Sequence, residues 1–206
     1  MKASLRAAVL GAVPLLLFSA GSAAAQVRFG PMVGANMSTI GGDDAEDFFS
    51  SRVGFVFGGF AQLGAGRFAL QPQVLYSMKG ANSQDVEDAS LKLNYLQVPV
   101  LAQIRFPGAG GVTPYLILGP SLSFKLSCKL SDGDEEFDCE DVGFETKGTD
   151  FSLIGGIGLD FGSLTIAARY DYGLTRLDDT TSPDDLYNRA FTLTVGYGIR
   201  LSPPLP

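Results

Sequence analysis

Cys128 and Cys139 are the only cysteines in the 206-residue chain, and they bracket its most acidic run, Asp132-Gly133-Asp134-Glu135-Glu136. Thiols and carboxylates this close could hold zinc, form a calcium loop or carry a covalent staple. Zinc wants four Cys or His ligands, and two thiols with no histidine anywhere in the chain fall short. A calcium loop of the EF-hand type needs Gly at its sixth position and Glu at its twelfth. Counted from Asp132 these are Phe137 and Gly143, so the motif fails. A disulfide remains, favoured by an even cysteine count in an exported chain. We expect Cys128–Cys139 to be a structural staple, with a rigid recognition loop as the alternative. Loose sharing of divalent cations by the acidic run is a further reading, set against a solvated, self-repelling rim.

Other chemistry is thin. The absence of histidine removes the commonest general base. Gly156-Ile157-Gly158-Leu159-Asp160-Phe161 suggests a dinucleotide turn, but Phe161 stands where the third glycine belongs and no helical pattern follows. Six charged residues fall on otherwise polar or small-residue strand faces: Arg105, Lys125, Asp150, Asp160, Arg169 and Asp171. We expect them to pair inside the fold, because burial of a charge demands a partner. A narrow ion path is the alternative. We expect no catalytic, cofactor-binding or metal-binding residues and no cofactor.

The elements that must position these residues are strands. Eight segments alternate with period two, as half-buried strands do. They run over about 27–38, 52–63, 68–79, 93–106, 115–127, 150–161, 164–175 and 190–201. In the fifth, Leu116, Leu118, Leu122, Phe124 and Leu126 oppose Gly119, Ser121, Ser123, Lys125 and Ser127. In the seventh, Leu164, Ile166, Ala168, Tyr170, Tyr172 and Leu174 oppose Thr165, Arg169, Asp171 and Thr175.

The connections alternate too. Those at 64–67, 107–112 and 162–163 are short; those at about 39–51, 80–92, 128–149 and 178–189 are long. This order is that of an up-and-down meander with every long loop at one end. The long loops carry 19 of the 22 acidic residues, whereas Arg28, Arg67, Arg105 and Arg200 map near the tight turns. One rim is therefore strongly acidic and the other mildly basic.

The N-terminus reads as a cleaved export signal over residues 1–25. Lys2 and Arg6 precede an apolar stretch around Leu15-Leu16-Leu17, and Ala23-Ala24-Ala25 supplies small residues for cleavage before Gln26. Pro14 and the short run argue against a spanning helix. Removal of that segment shifts the net charge from −7 to −9. A chain this acidic, with no basic cluster along its sequence, is not a nucleic-acid binder.

An eight-stranded up-and-down barrel has two solutions. A soluble, lipocalin-like barrel points its apolar face at a ligand, and a membrane barrel points it at lipid. Here the apolar face is large and nearly continuous, while the other is small and polar, which suits the narrow interior of eight strands. Aromatic residues near strand ends (Phe29, Phe68, Tyr76, Phe106, Tyr115, Phe161, Tyr172, Phe191 and Tyr197) suit interfacial girdles. The expected fold is therefore all-β: an eight-stranded antiparallel up-and-down transmembrane β-barrel over residues 26–201, with short periplasmic turns and long acidic extracellular loops, followed by a Pro-rich tail at 202–206. Hydrocarbon offers no partner to an open edge, so the first and last strands should pair.

Ordered blocks across nearly the whole mature chain also resemble the outer-membrane β-barrel domain family, often labelled porin-family. They include GPMVGANMST at 30–39, LQPQVLYSMKGA at 70–81, LNYLQVPVLAQIRF at 93–106, PYLILGPSLSF at 114–124, TDFSLIGGIGLDFG at 149–162, ARYDYGLTRL at 168–177 and NRAFTLTVGYGIRL at 188–201. The resemblance implies an outer-membrane barrel without catalytic residues. Such barrels usually end on an aromatic residue used in assembly, whereas this one ends its last strand at Leu201. The expected role is a monomeric, non-catalytic barrel of the bacterial outer membrane, meeting outer-membrane lipid, lipopolysaccharide or an unidentified surface partner through its acidic loops. The alternatives are a narrow pore or transport component, and a soluble ligand-binding barrel.

Overall fold

The computed structural model describes residues 26–41, 49–83, 89–132, 135–139, 148–176 and 187–201. The expected export signal, the Pro-rich tail and most of the acidic loop residues lie outside these.

Ten strands follow in chain order: β1 (Gln26–Gly41), β2 (Phe49–Ala65), β3 (Phe68–Ser83), β4 (Ala89–Arg105), β5 (Val112–Asp132), β6 (Glu135–Asp138), β7 (Thr149–Phe161), β8 (Leu164–Arg176), β9 (Tyr187–Tyr197) and β10 (Ile199–Leu201). All neighbours are antiparallel, in the order β1-β2-β3-β4-β5-β7-β8-β9. β1 closes the ring against β9 from Met32↔Gly196 to Gly41↔Tyr187, and against β10 from Val27↔Leu201 to Phe29↔Ile199. β9 and β10 are thus one barrel strand, interrupted at Gly198. The result is the expected closed barrel of eight strands, with β6 a short flap on β5.

Period-two alternation decides which side chains face out. β7 shows it plainly, with Phe151, Leu153, Ile157, Leu159 and Phe161 exposed and Asp150, Ser152, Ile154 and Asp160 buried. Its apolar side spans eleven residues from Phe151 to Phe161, about what a tilted strand needs to cross hydrocarbon. Around the barrel the same face exposes large apolar groups, among them Phe55, Phe57, Val74, Leu118, Leu153, Leu193 and Phe68, the last at 66%. A soluble barrel would bury such a belt, so the ligand-binding alternative falls. Tyr115 departs from the expected girdle: it points inward at 3% exposure, and its hydroxyl lies 2.7 Å from Thr165 Oγ1.

The turns at Gly66-Arg67 and Gly162-Ser163 are two residues long, each with glycine at positive φ in its first position. Such short connections suit glycine because its missing Cβ permits that backbone. At the other end the strands run further than their alternation suggests. β3 reaches Ser83, β4 starts at Ala89 and β5 continues to Asp132, so much of the expected loops at 80–92 and 128–149 is ladder. Above the apolar belt the outward face meets water, so strand pairing continues there without the outward apolar stripe that marks the wall.

Candidate functional site

The inward faces bring side chains together in layers. Nearest the tight turns, Asp160 of β7 lies between two arginines. Arg28 Nη2 of β1 donates to Asp160 Oδ1 at 2.7 Å, and Arg105 of β4 pairs with Oδ2. Arg28 Nη1 also donates to the Gly162 carbonyl at 3.0 Å. Beside them Gln62, Gln103 and Gln71 form a chain of side-chain hydrogen bonds, Gln62 donating to Gln103 and Gln103 to Gln71. All three are buried. Gly198 makes room for this layer, because a Cβ there would fall 2.5 Å from Arg28 Cγ and Cδ.

The middle of the barrel is partly apolar, which the polar lumen expected from sequence did not include. Met32, Val56, Phe60 and Leu75 pack as one cluster, and Leu101, Tyr115, Ile117, Ile154 and Ala167 as another. Gly158 admits the Tyr115 ring, which a Cβ there would meet at 2.3 Å. Arg169 threads between these groups, fully within the wall, and donates to Gln73 Oε1 at 2.8 Å.

Towards the long-loop end, Lys79 Nζ pairs with Asp171 Oδ2 at 3.0 Å, and Gln97 donates to the same oxygen at 2.6 Å. Asn188 donates to Asp150 Oδ2 at 2.9 Å. Of the six charged residues read from sequence, the structure buries Asp150, Asp160, Arg169 and Asp171, half-buries Arg105, and places Lys125 half-buried nearer the loop end. Arg28 and Lys79 complete the ion pairs and were not among those six. Their signal was present, since both alternate in phase with polar neighbours, but Arg28 sits so near its strand end that it reads as rim.

Above these layers stands a small apolar core of Leu91, Leu93, Tyr95, Cys128 and Cys139. A one-residue irregularity between β4 and β5, where Asn94 faces Ser127 but Tyr95 faces Lys125, shifts the pleat and turns Cys128 inward. β6 then pairs with β5 from Lys129↔Asp138 to Asp132↔Glu135. Cys139 lies opposite Cys128, and their sulfurs are joined, with Cα atoms 5.5 Å apart. The described acidic residues Asp132, Glu135 and Glu136 are thus paired strand residues of a stapled hairpin.

The outer membrane protein beta-barrel domain matches residues 19–179, well over half of the chain. The chain belongs to that family. Membership places the barrel in the bacterial outer membrane. No curated protein sequence matches the chain. Among solved structures, Neisserial surface protein A is 15% identical, with 82% of this chain and 96% of that one covered and a TM-score of 0.49. OprG of Pseudomonas aeruginosa is 13% identical, covering 87% and 96%, at 0.48. Ail, the attachment invasion locus protein of Yersinia pestis, solved with the heparin analogue sucrose octasulfate, is 18% identical, covering 84% and 99%, at 0.45. At these identities the likeness concerns architecture alone.

Proposed function

We propose that this family member is a non-catalytic outer-membrane barrel with a structural or surface-interaction role, presented at its long-loop end. The observation that carries the reading is the stapled hairpin. The outward apolar stripe of β5 stops at Leu126, yet the strand runs on for six residues, about 20 Å of extended chain. It is braced there by β6, a disulfide and a buried apolar cluster. A rigid projection exposing Phe137 at 42% suits contact with a surface outside the hydrocarbon. Lipopolysaccharide and outer-membrane lipid are its immediate surroundings. Export through removal of residues 1–25, action as a monomer and the acidity of the remaining loops belong to the same reading.

The mid-barrel layers speak against the pore. Leu75, Leu101 and Ile154 are wholly shielded from water, and the charged side chains between them are engaged with partners across the lumen. Two measurements test the proposal. Purified barrel in a planar bilayer should stay electrically silent, and reproducible unitary steps would overturn the closed lumen. Replacement of residues 129–138 by a Gly-Ser linker of equal length should keep the heat-dependent gel shift of a folded barrel but weaken association with lipopolysaccharide aggregates. Unchanged association would remove the hairpin from the reading.

A further inference from the structure

The tight-turn mouth is a cavity of about 380 Å³ lined by four arginines, Arg28, Arg67, Arg105 and Arg200, with Gln26, Gln62 and Thr113 between them. They reach it from different elements. Arg28 comes from the start of β1, Arg67 from the β2–β3 turn, Arg105 from the end of β4 and Arg200 from β10. Such convergence is not a by-product of one strand's composition. Among the described residues Asp160 is the one carboxylate at this end, and it already accepts from two of the arginines. Four guanidiniums against one carboxylate leave a surplus of positive charge in a partly enclosed space.

The hydrogen-bond account is also incomplete. Nε of Arg28 and Nε of Arg105 are buried and hydrogen-bond nothing among the described residues. Buried donors are rarely left so. Arg67 and Arg200 stand exposed on the rim, with Arg200 reaching the Gly162 carbonyl at 3.4 Å. A guanidinium offers a planar fork of donors that matches tetrahedral oxyanions two oxygens at a time.

We infer that this mouth is a binding site for a phosphate group. The ligand is either free inorganic phosphate from the periplasm or the head-group phosphate of an inner-leaflet phospholipid. Both sources fit the depth of the site. Phe29, Phe68, Phe106 and Phe161 are exposed around the same end, as an interfacial girdle is, so the arginines lie level with the head groups. Arg67 and Arg200 would capture the anion at the rim, and the deeper Arg28 and Arg105 would hold its far side.

The test uses the full chain in maltoside micelles, which contain no phosphate. Inorganic phosphate is titrated at low salt while the arginine side-chain Nε–Hε signals are followed by NMR. In parallel, nanodiscs carrying spin-labelled phosphatidylglycerol or spin-labelled phosphatidylcholine report which lipid the barrel retains. The comparison variant is R67Q/R200Q, which leaves the Arg28–Asp160–Arg105 layer intact, and its heat-dependent gel shift checks that it folds. Saturable phosphate shifts in the wild type, weakened at least about tenfold in the variant, support the site with free phosphate as ligand. A preference for phosphatidylglycerol that the variant loses supports the head group as ligand. Neither saturable shifts nor a lipid preference, or effects equal in the variant, would overturn the inference.

Discussion

The two mouths of this barrel are closed by opposite means. At the tight-turn end the seal is charge, with Arg28 and Arg105 on the two oxygens of Asp160 and a chain of three glutamines beside them. At the long-loop end it is apolar and covalent, with Leu91, Leu93 and Tyr95 packed over Cys128–Cys139. The difference follows from what each end can draw on. The charged layer is held by strands far apart in sequence and works only when the ring is closed. The apolar one is assembled largely from two neighbouring ribbons and stands without most of the wall.

That contrast can be broken most severely at Asp160. In Asp160→Ala two guanidiniums lose the carboxylate that pairs them both among the described residues, and uncompensated buried charge costs about 3–5 kcal/mol. The unfolding free energy of the folded barrel from urea titration should fall by that amount, and a fall under about 1 kcal/mol would show that the basic mouth is not held by this pair. An intermediate effect is expected mid-barrel. Gly158→Ala drives a methyl into the Tyr115 ring and should cost about 1–3 kcal/mol, recovered in part when Tyr115→Leu is added. Additive losses in the double variant would disprove the steric account.

The smallest effect on global stability should come from Cys128→Ser with Cys139→Ser. The staple contributes roughly 3 kcal/mol to its own hairpin in the chain-entropy picture, but the hairpin can open without the wall. The unfolding free energy from urea titration should move by less than about 0.5 kcal/mol, while cleavage between residues 129 and 138 by added protease rises sharply. A large drop in midpoint would instead make the two mouths one cooperative unit.

Much of the wall was legible in the residues. Leu116, Leu118, Leu122 and Phe124 face out as their alternation requires, and the alternating short and long connections place the turns. Closure of β1 on the last strand follows from the cost of an open edge in lipid. What alternation cannot carry is which inward residues meet. Period two assigns a face, not a partner, so Arg28 with Asp160, or Lys79 with Asp171, emerges only from the register of the closed ring. Nor does polarity mark every inward position. Phe60, Leu75, Tyr95 and Tyr115 are apolar or aromatic and yet point into the lumen, because a narrow interior must be filled and glycines such as Gly158 leave space opposite them. The strand extensions above the membrane were hidden because their apolar residues, Leu91, Leu93 and Tyr95, point inward, so the outward stripe that marks the wall is missing there.

The span of chain between bonded partners sets an order of events during biogenesis. Cys128 and Cys139 are 11 residues apart, whereas Arg28 and Asp160 are 132 apart. Closing a short segment costs less conformational entropy than closing a long one. The local crosslink is therefore accessible while the chain is still in transit through an oxidising periplasm, before any ring exists. The charge latch can engage only at the last step, when the first strand finds the eighth. The barrel would enter the membrane with its outer tip already tied, and its periplasmic mouth would be the final part to lock.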